Sequence, residues 1–167
     1  MERTPFYHIE AIQNEYRRIE GRWLHAQYQL LLGLILFAIL TEIVMSFLLP
    51  GIGLVDTPTR QYVMKYLLVP GAGNLLIGIA ATGFMRSHMT DVQKAYAVSI
   101  LTVLLAFWVY TIHSVFRSLF LIFTLPMLLT VLYGNQLLTG LICAACILAK
   151  VLSDLVCVWD AARPNVL

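Results

Sequence analysis

Apolar residues gather in five runs separated by short polar breaks, at about 28–49, 63–84, 95–112, 118–133 and 137–158. The first run reads YQLLLGLILFAILTEIVMSFLL, about the length that one helix needs to cross a bilayer core of ~30 Å. Pro50-Gly51-x-Gly53 ends it. The second carries Pro70, Gly71 and Gly73 near its start, so its helix is expected to kink or begin late. Within it Asn74, Gly78 and Thr82 fall four apart, a small-residue stripe that lets helices approach closely. The fourth run is short, with Pro126 in its middle, and Tyr133-Gly134-Asn135-Gln136 turns the chain into the fifth. Before the first run, Ile9, Ile12, Tyr16, Ile19 and Trp23 recur at steps of three and four, with Glu10, Glu15, Arg17, Arg18 and Glu20 on the other faces. That pattern predicts an amphipathic helix on the cytoplasmic membrane surface, with Trp23 and Tyr28 at headgroup level. The alternative is a plain extension of the first span. The expected fold class is all-α: a polytopic bundle of five transmembrane helices over 28–160, the amphipathic helix over 1–27, and a short extracytoplasmic tail over 161–167.

Composition agrees, since 60% of the 167 residues are hydrophobic and 12% are charged, far too apolar for a soluble domain of this size. Arg3, Arg17, Arg18 and Arg22 precede the first span, and such a cluster is normally retained in the cytoplasm. With the amino terminus inside, the inner segments hold six Lys or Arg and the outer segments four, and an odd number of spans places the carboxyl end outside. The first run is too long for a signal-peptide core and lacks a clear cleavage site. Cys143-x-x-Cys146 has redox spacing but lies in an apolar helix, where cysteine reads better as a small packing residue.

A few polar residues do not belong in lipid. Glu42 lies inside the first span, where a carboxylate costs on the order of 3 kcal/mol and needs a partner. Lys150 and Asp154, four apart in the fifth span, share a face and can pair. Glu42 and Lys150 sit at similar depth in spans that run the same way, so a Glu42–Lys150–Asp154 triad is expected, serving as the floor of a polar cavity or as a buried ion network. His113 and Arg117 sit at the outer end of the third-to-fourth hairpin, as a lid over that cavity or as headgroup contacts. The expected ligand-binding set is Glu42, Asn74, His113, Arg117, Lys150 and Asp154, open to the outer face and suited to a small zwitterionic or anionic ligand. There is no phosphate loop, no nucleophile elbow, no metal-spaced cluster and no basic aromatic surface for nucleic acid. No catalytic role, metal or cofactor is expected of this chain.

Lys65-Tyr66-Leu67-Leu68-Val69-Pro70 with Asn74, Thr111-Ile112-His113-Ser114-Val115-Phe116, Pro126 through Tyr133-Gly134, and Val158-Trp159-Asp160 together resemble the multi-span amino-terminal sensory region of bacterial membrane-bound diguanylate cyclases, the GGDEF proteins of Firmicutes type. The resemblance implies an input module in the bacterial cytoplasmic membrane that signals through a final helix to a dimeric cyclase. This chain has no GGDEF sequence and no sixth span. It is expected to be either the input part of a longer receptor or a free-standing five-span protein. The expected function is sensory: a small extracytoplasmic ligand or a membrane state is read in the outer half of the bilayer. A small-molecule or ion transporter or channel subunit is the first alternative, and a structural assembly protein is the second.

Overall fold

The computed structural model describes residues 5–51, 63–113 and 117–159, and among them every regular element is helical. The α-helices are α1 (Pro5–Gly51), α2 (Val69–Arg86), α3 (Asp91–Ile112), α4 (Thr124–Val131) and α5 (Gln136–Trp159). A π-helical turn, Met64–Leu68, leads into α2, and a 3-10 segment, Arg117–Phe123, leads into α4. The expected loop around Asp56 and the 161–167 tail lie outside the described residues.

Local chemistry sets most boundaries. Pro70 has no N–H to give to an α-helical ladder, and the widened π turn ends immediately before it, with Val69 N donating to Met64 O. The late start expected for the second helix is therefore a change of helical register. A capping box opens α3: Gln93 N donates to Thr90 Oγ1, and Thr90 N donates to Gln93 Oε1. Gly134, at φ 64°, lets the chain leave α4, and Asn135 Oδ1 then accepts from Leu137 N and Leu138 N at the head of α5. The turn expected at 133–136 is present.

Residues 5–51 form one unbroken helix of 47 residues, about 70 Å long at ~1.5 Å per residue. The stretch expected to lie as a separate surface helix is the amino-terminal continuation of α1, the alternative weighed for it. No break or cap divides residues 5–27 from the apolar run.

Side-chain contacts show that successive helices alternate in direction. At one end, here the near end, Tyr28 of α1 meets Thr82 of α2, Gln27 meets Ser99 of α3, and Trp23 meets Leu129 of α4. At the far end, Glu42 of α1 meets Asn74 of α2, and Tyr110 of α3 meets Asp154 of α5. Helices α1, α3 and α5 thus run one way, α2 and α4 the other. Helix α3 is central: it packs against the other four helices and buries Val98, Leu101, Leu105 and Ala106.

The stripes of α1 and α2 interlock. Gly78 of α2 faces Leu32 and Ile35 of α1, between the Tyr28–Thr82 and Glu42–Asn74 contacts. The four-residue spacing of Asn74, Gly78 and Thr82 therefore meets a seven-residue spacing of Tyr28, Ile35 and Glu42, as antiparallel helices packed along one seam require.

Among the described residues, three helical stretches are long and apolar enough to cross a membrane: Ile19–Leu48, Asp91–Ile112 and Gln136–Val156. The outside of the bundle is apolar too. Phe47 is 79% exposed, Leu137 73% and Phe37 68%, which a water-facing surface would not tolerate as a continuous belt. By length, composition and surface, this is a membrane protein.

Candidate functional site

The buried face of α1 runs Leu24, Gln27, Leu31, Ile35, Glu42 and Ser46 at steps of three, four and seven. Two polar residues on that face, Gln27 and Glu42, each anchor a cluster, one at each end of the bundle.

At the far end, Glu42 is 4% exposed and Asn74 is wholly buried. Asn74 Nδ2 donates to Glu42 Oε1 at 3.3 Å, and His113 Nε2 lies 3.4 Å from the same oxygen. Each helix has a reason to place its group there. Ser46 caps its own turn by donating to the Glu42 carbonyl at 2.7 Å. On α2, Gly73 presents bare backbone to Trp108 of α3, and a Cβ there would collide with the indole. That close approach lets Trp108 Nε1 donate to Pro70 O at 3.2 Å and draws Asn74 into the bundle. His113 ends α3, its N–H bonded back to Val109 O, and its side chain is 24% exposed.

On α5, Lys150 Nζ pairs with Asp154 Oδ2 at 2.5 Å. Tyr110 donates to Asp154 Oδ1 at 3.2 Å, and the Lys150 ammonium stands 4.9 Å above the Tyr110 ring. Thr111 and Ser153 share a hydrogen bond of 2.6 Å beside them. The ion pair is partly open, with Lys150 31% and Asp154 52% exposed in their side chains.

Of the six expected site residues, the structure thus brings Glu42, Asn74 and His113 together, and Lys150 and Asp154 together. Arg117 starts the 3-10 segment, and its side chain lies outside the described residues. The i,i+4 pairing of Lys150 with Asp154 forms as its spacing predicts. The expected pairing of Glu42 with Lys150 does not. Equal depth is not adjacency: α3 packs against both α1 and α5 and gives one side chain to each cluster, His113 to Glu42 and Tyr110 to Asp154.

The near-end cluster was not expected from the sequence. Tyr133 donates to Gln27 Oε1 at 2.6 Å, and Gln27 Nε2 donates to Ser99 Oγ at 3.1 Å, all three residues being buried. Its signal was present, because Gln27 falls on the same three-and-four spacing as Leu24 and Leu31. Trp23 and Tyr28, expected at headgroup level, bond within the bundle to Leu129 O and Thr82 Oγ1. An open groove of about 750 Å³ lies at this end, lined by Arg22, His25, Gln29, Asp91 and Lys94 among others. None of the six expected residues lines it.

Cys143 and Cys146 are free thiols, and Cys146 packs in the core as a small apolar residue would. Among the described residues, no three His, Cys, Asp or Glu side chains gather as a metal site requires. No protein-family model, curated protein or solved structure matches the chain.

Proposed function

We propose that this chain is a membrane-embedded sensory input module: a bundle of five membrane crossings, amino terminus in the cytoplasm, that reads a chemical state at Glu42, Asn74 and His113. The observation that carries this reading is the continuity of α1. One helix holds the buried carboxyl of Glu42 and runs unbroken to Pro5, past the near end of the bundle. A crossing uses about 20 residues, so a rigid arm extends beyond it. Glu42 is tied to α2 by Asn74 and to the end of α3 by His113. Any change in charge or occupancy there alters how α1 packs against both, and a stiff helix transmits the shift. The resemblance to diguanylate cyclase input regions points the same way.

Spin labels on Ile19→Cys and Leu137→Cys, with Cys143, Cys146 and Cys157 replaced by alanine, test the idea in nanodiscs. The distance between the labels should differ between the parent and Glu42→Leu. An unchanged distance overturns the lever. Sustained ion or solute flux in proteoliposomes, lost in Glu42→Leu, would favour a transporter instead.

A further inference from the structure

Among the described residues, two buried oxygens at the far end have no hydrogen-bond donor: Glu42 Oε2 and Asn74 Oδ1. They belong to two planar groups already joined by one bond, from Asn74 Nδ2 to Glu42 Oε1. An acceptor left bare inside a bundle costs about 1–3 kcal/mol, and a bare carboxylate oxygen costs more. A carboxylic acid and a carboxamide are complementary as a pair. The amide N–H serves one carboxyl oxygen while the acid O–H serves the amide oxygen, closing a ring of two bonds. A single proton on Oε2 thus gives both stranded oxygens a partner.

We propose that Glu42 is held as the neutral carboxylic acid in a two-bond ring with the Asn74 carboxamide, and that reversible loss of this proton is the event the bundle reads. The inference rests on the sensory reading above for its second half only.

The surroundings suit a neutral acid. Charge-assisted N–H···O bonds run about 2.7–2.9 Å, whereas Glu42 Oε1 has Asn74 Nδ2 at 3.3 Å and His113 Nε2 at 3.4 Å. Among the described side chains around Glu42, α1 gives Ser46, α2 gives Asn74 and α3 leads to His113, the one titratable neighbour. In the π turn that packs against α1, Met64, Leu67 and Leu68 carry no titratable group, whereas Lys65 and Tyr66 do and their side chains lie outside the described residues. Trp108 N–H is committed to Pro70 O.

On deprotonation the O–H bond of Glu42 breaks, the electron pair stays on Oε2, and the proton leaves to water at the far end, where His113 is partly exposed. Two acceptor oxygens then oppose each other across the α1–α2 seam. Rotating the amide or separating the helices relieves the conflict, and either one moves α1.

Infrared spectroscopy of the full chain in nanodiscs tests this. A protonated-carboxyl band is expected that shifts in heavy water, vanishes in Glu42→Gln, moves in Asn74→Leu and fades as the pH is raised. A second measurement guards against misfolding. Glu42→Gln should melt within a few degrees of the parent, because a glutamine amide rebuilds the ring, while Glu42→Leu should melt well below it. Absence of the band, with Glu42→Gln and His113→Ala equally destabilised, would show a Glu42–His113 ion pair and overturn the proposal. If the band titrates while the label distance stays fixed, the proton pair stands and the sensory reading fails. If the distance responds to pH with no such band, the proton pair is wrong and the lever survives.

Discussion

The two polar clusters on the buried face of α1 are built from similar parts and end differently. At the near end, Gln27 gives its N–H to Ser99 and takes the hydroxyl of Tyr133, leaving none of these side-chain atoms stranded. At the far end, Glu42 collects two long contacts on one oxygen and leaves the other bare beside a bare Asn74 oxygen. A closed network has one low-energy arrangement and fixes which helices are neighbours. An incomplete one has a second arrangement available when a proton or ligand arrives. The near cluster therefore reads as structure, and the far cluster as the place where the bundle can change state.

The largest expected effect comes from closing the gap that shapes the far cluster. Gly73→Ala puts a methyl group into the Trp108 indole. Overpacking of this kind costs about 1–3 kcal/mol, and the upper end is expected, because the clash is with a ring held by its bond to Pro70 O. Unfolding in mixed micelles measures it. Trp108→Ala should rescue Gly73→Ala in part, and a Gly73→Ala protein as stable as the parent would show that α2 and α3 do not approach so closely.

Next is Gln27→Leu at the near end. It removes both bonds of the closed network and leaves the Tyr133 hydroxyl and Ser99 without that partner. About 2 kcal/mol of stability should be lost, with the label response to Glu42→Leu retained. Loss of that response with little change in stability would reverse the roles assigned to the two ends. Tyr28→Phe, on the seam between the clusters, removes one interhelical bond to Thr82. It should cost about 0.6 kcal/mol, the average for such bonds in membranes, and a loss several times larger would mean that the seam, not the ends, governs packing.

The sequence showed the helices more clearly than their neighbours. Of the five apolar runs, three lie in helices long and apolar enough to cross a membrane among the described residues, while the fourth is a 3-10 segment followed by an eight-residue helix. The break at Pro70, the Tyr133-Gly134-Asn135-Gln136 turn and the Asn74–Gly78–Thr82 stripe are local patterns that appear where their spacing put them. The Lys150–Asp154 pair was legible for the same reason. The partner of Glu42 was not, because depth along a helix says nothing of rotation about it or of which helix lies between. The Gln27 cluster was missed for a different reason. A glutamine near a membrane boundary reads as solvated unless its stripe is followed through Leu24 and Leu31. Gly73 was read as a kink, when its lack of a side chain serves Trp108 of another helix.

The smallest expected effect separates the Glu42 cluster from the Lys150–Asp154 pair. Lys150 is paired and stands over Tyr110, but it is 31% exposed and Asp154 is 52% exposed. Lys150 pairs with Asp154 within α5 and shares no partner with Glu42, so Lys150→Met is informative for its coupling to Glu42 and not for its own cost. Depth in the sequence makes Lys150 the partner of Glu42, and that pairing would give a large coupling in a double-mutant cycle with Glu42→Gln. The structure gives Glu42 to Asn74 and His113 and gives Lys150 to Asp154 and Tyr110. Groups with no shared partner add within about 0.5 kcal/mol, so the cycle should close within that margin. A coupling well beyond it would mean that α3 does not insulate one cluster from the other, and that the polar residues of the far end act as a single site.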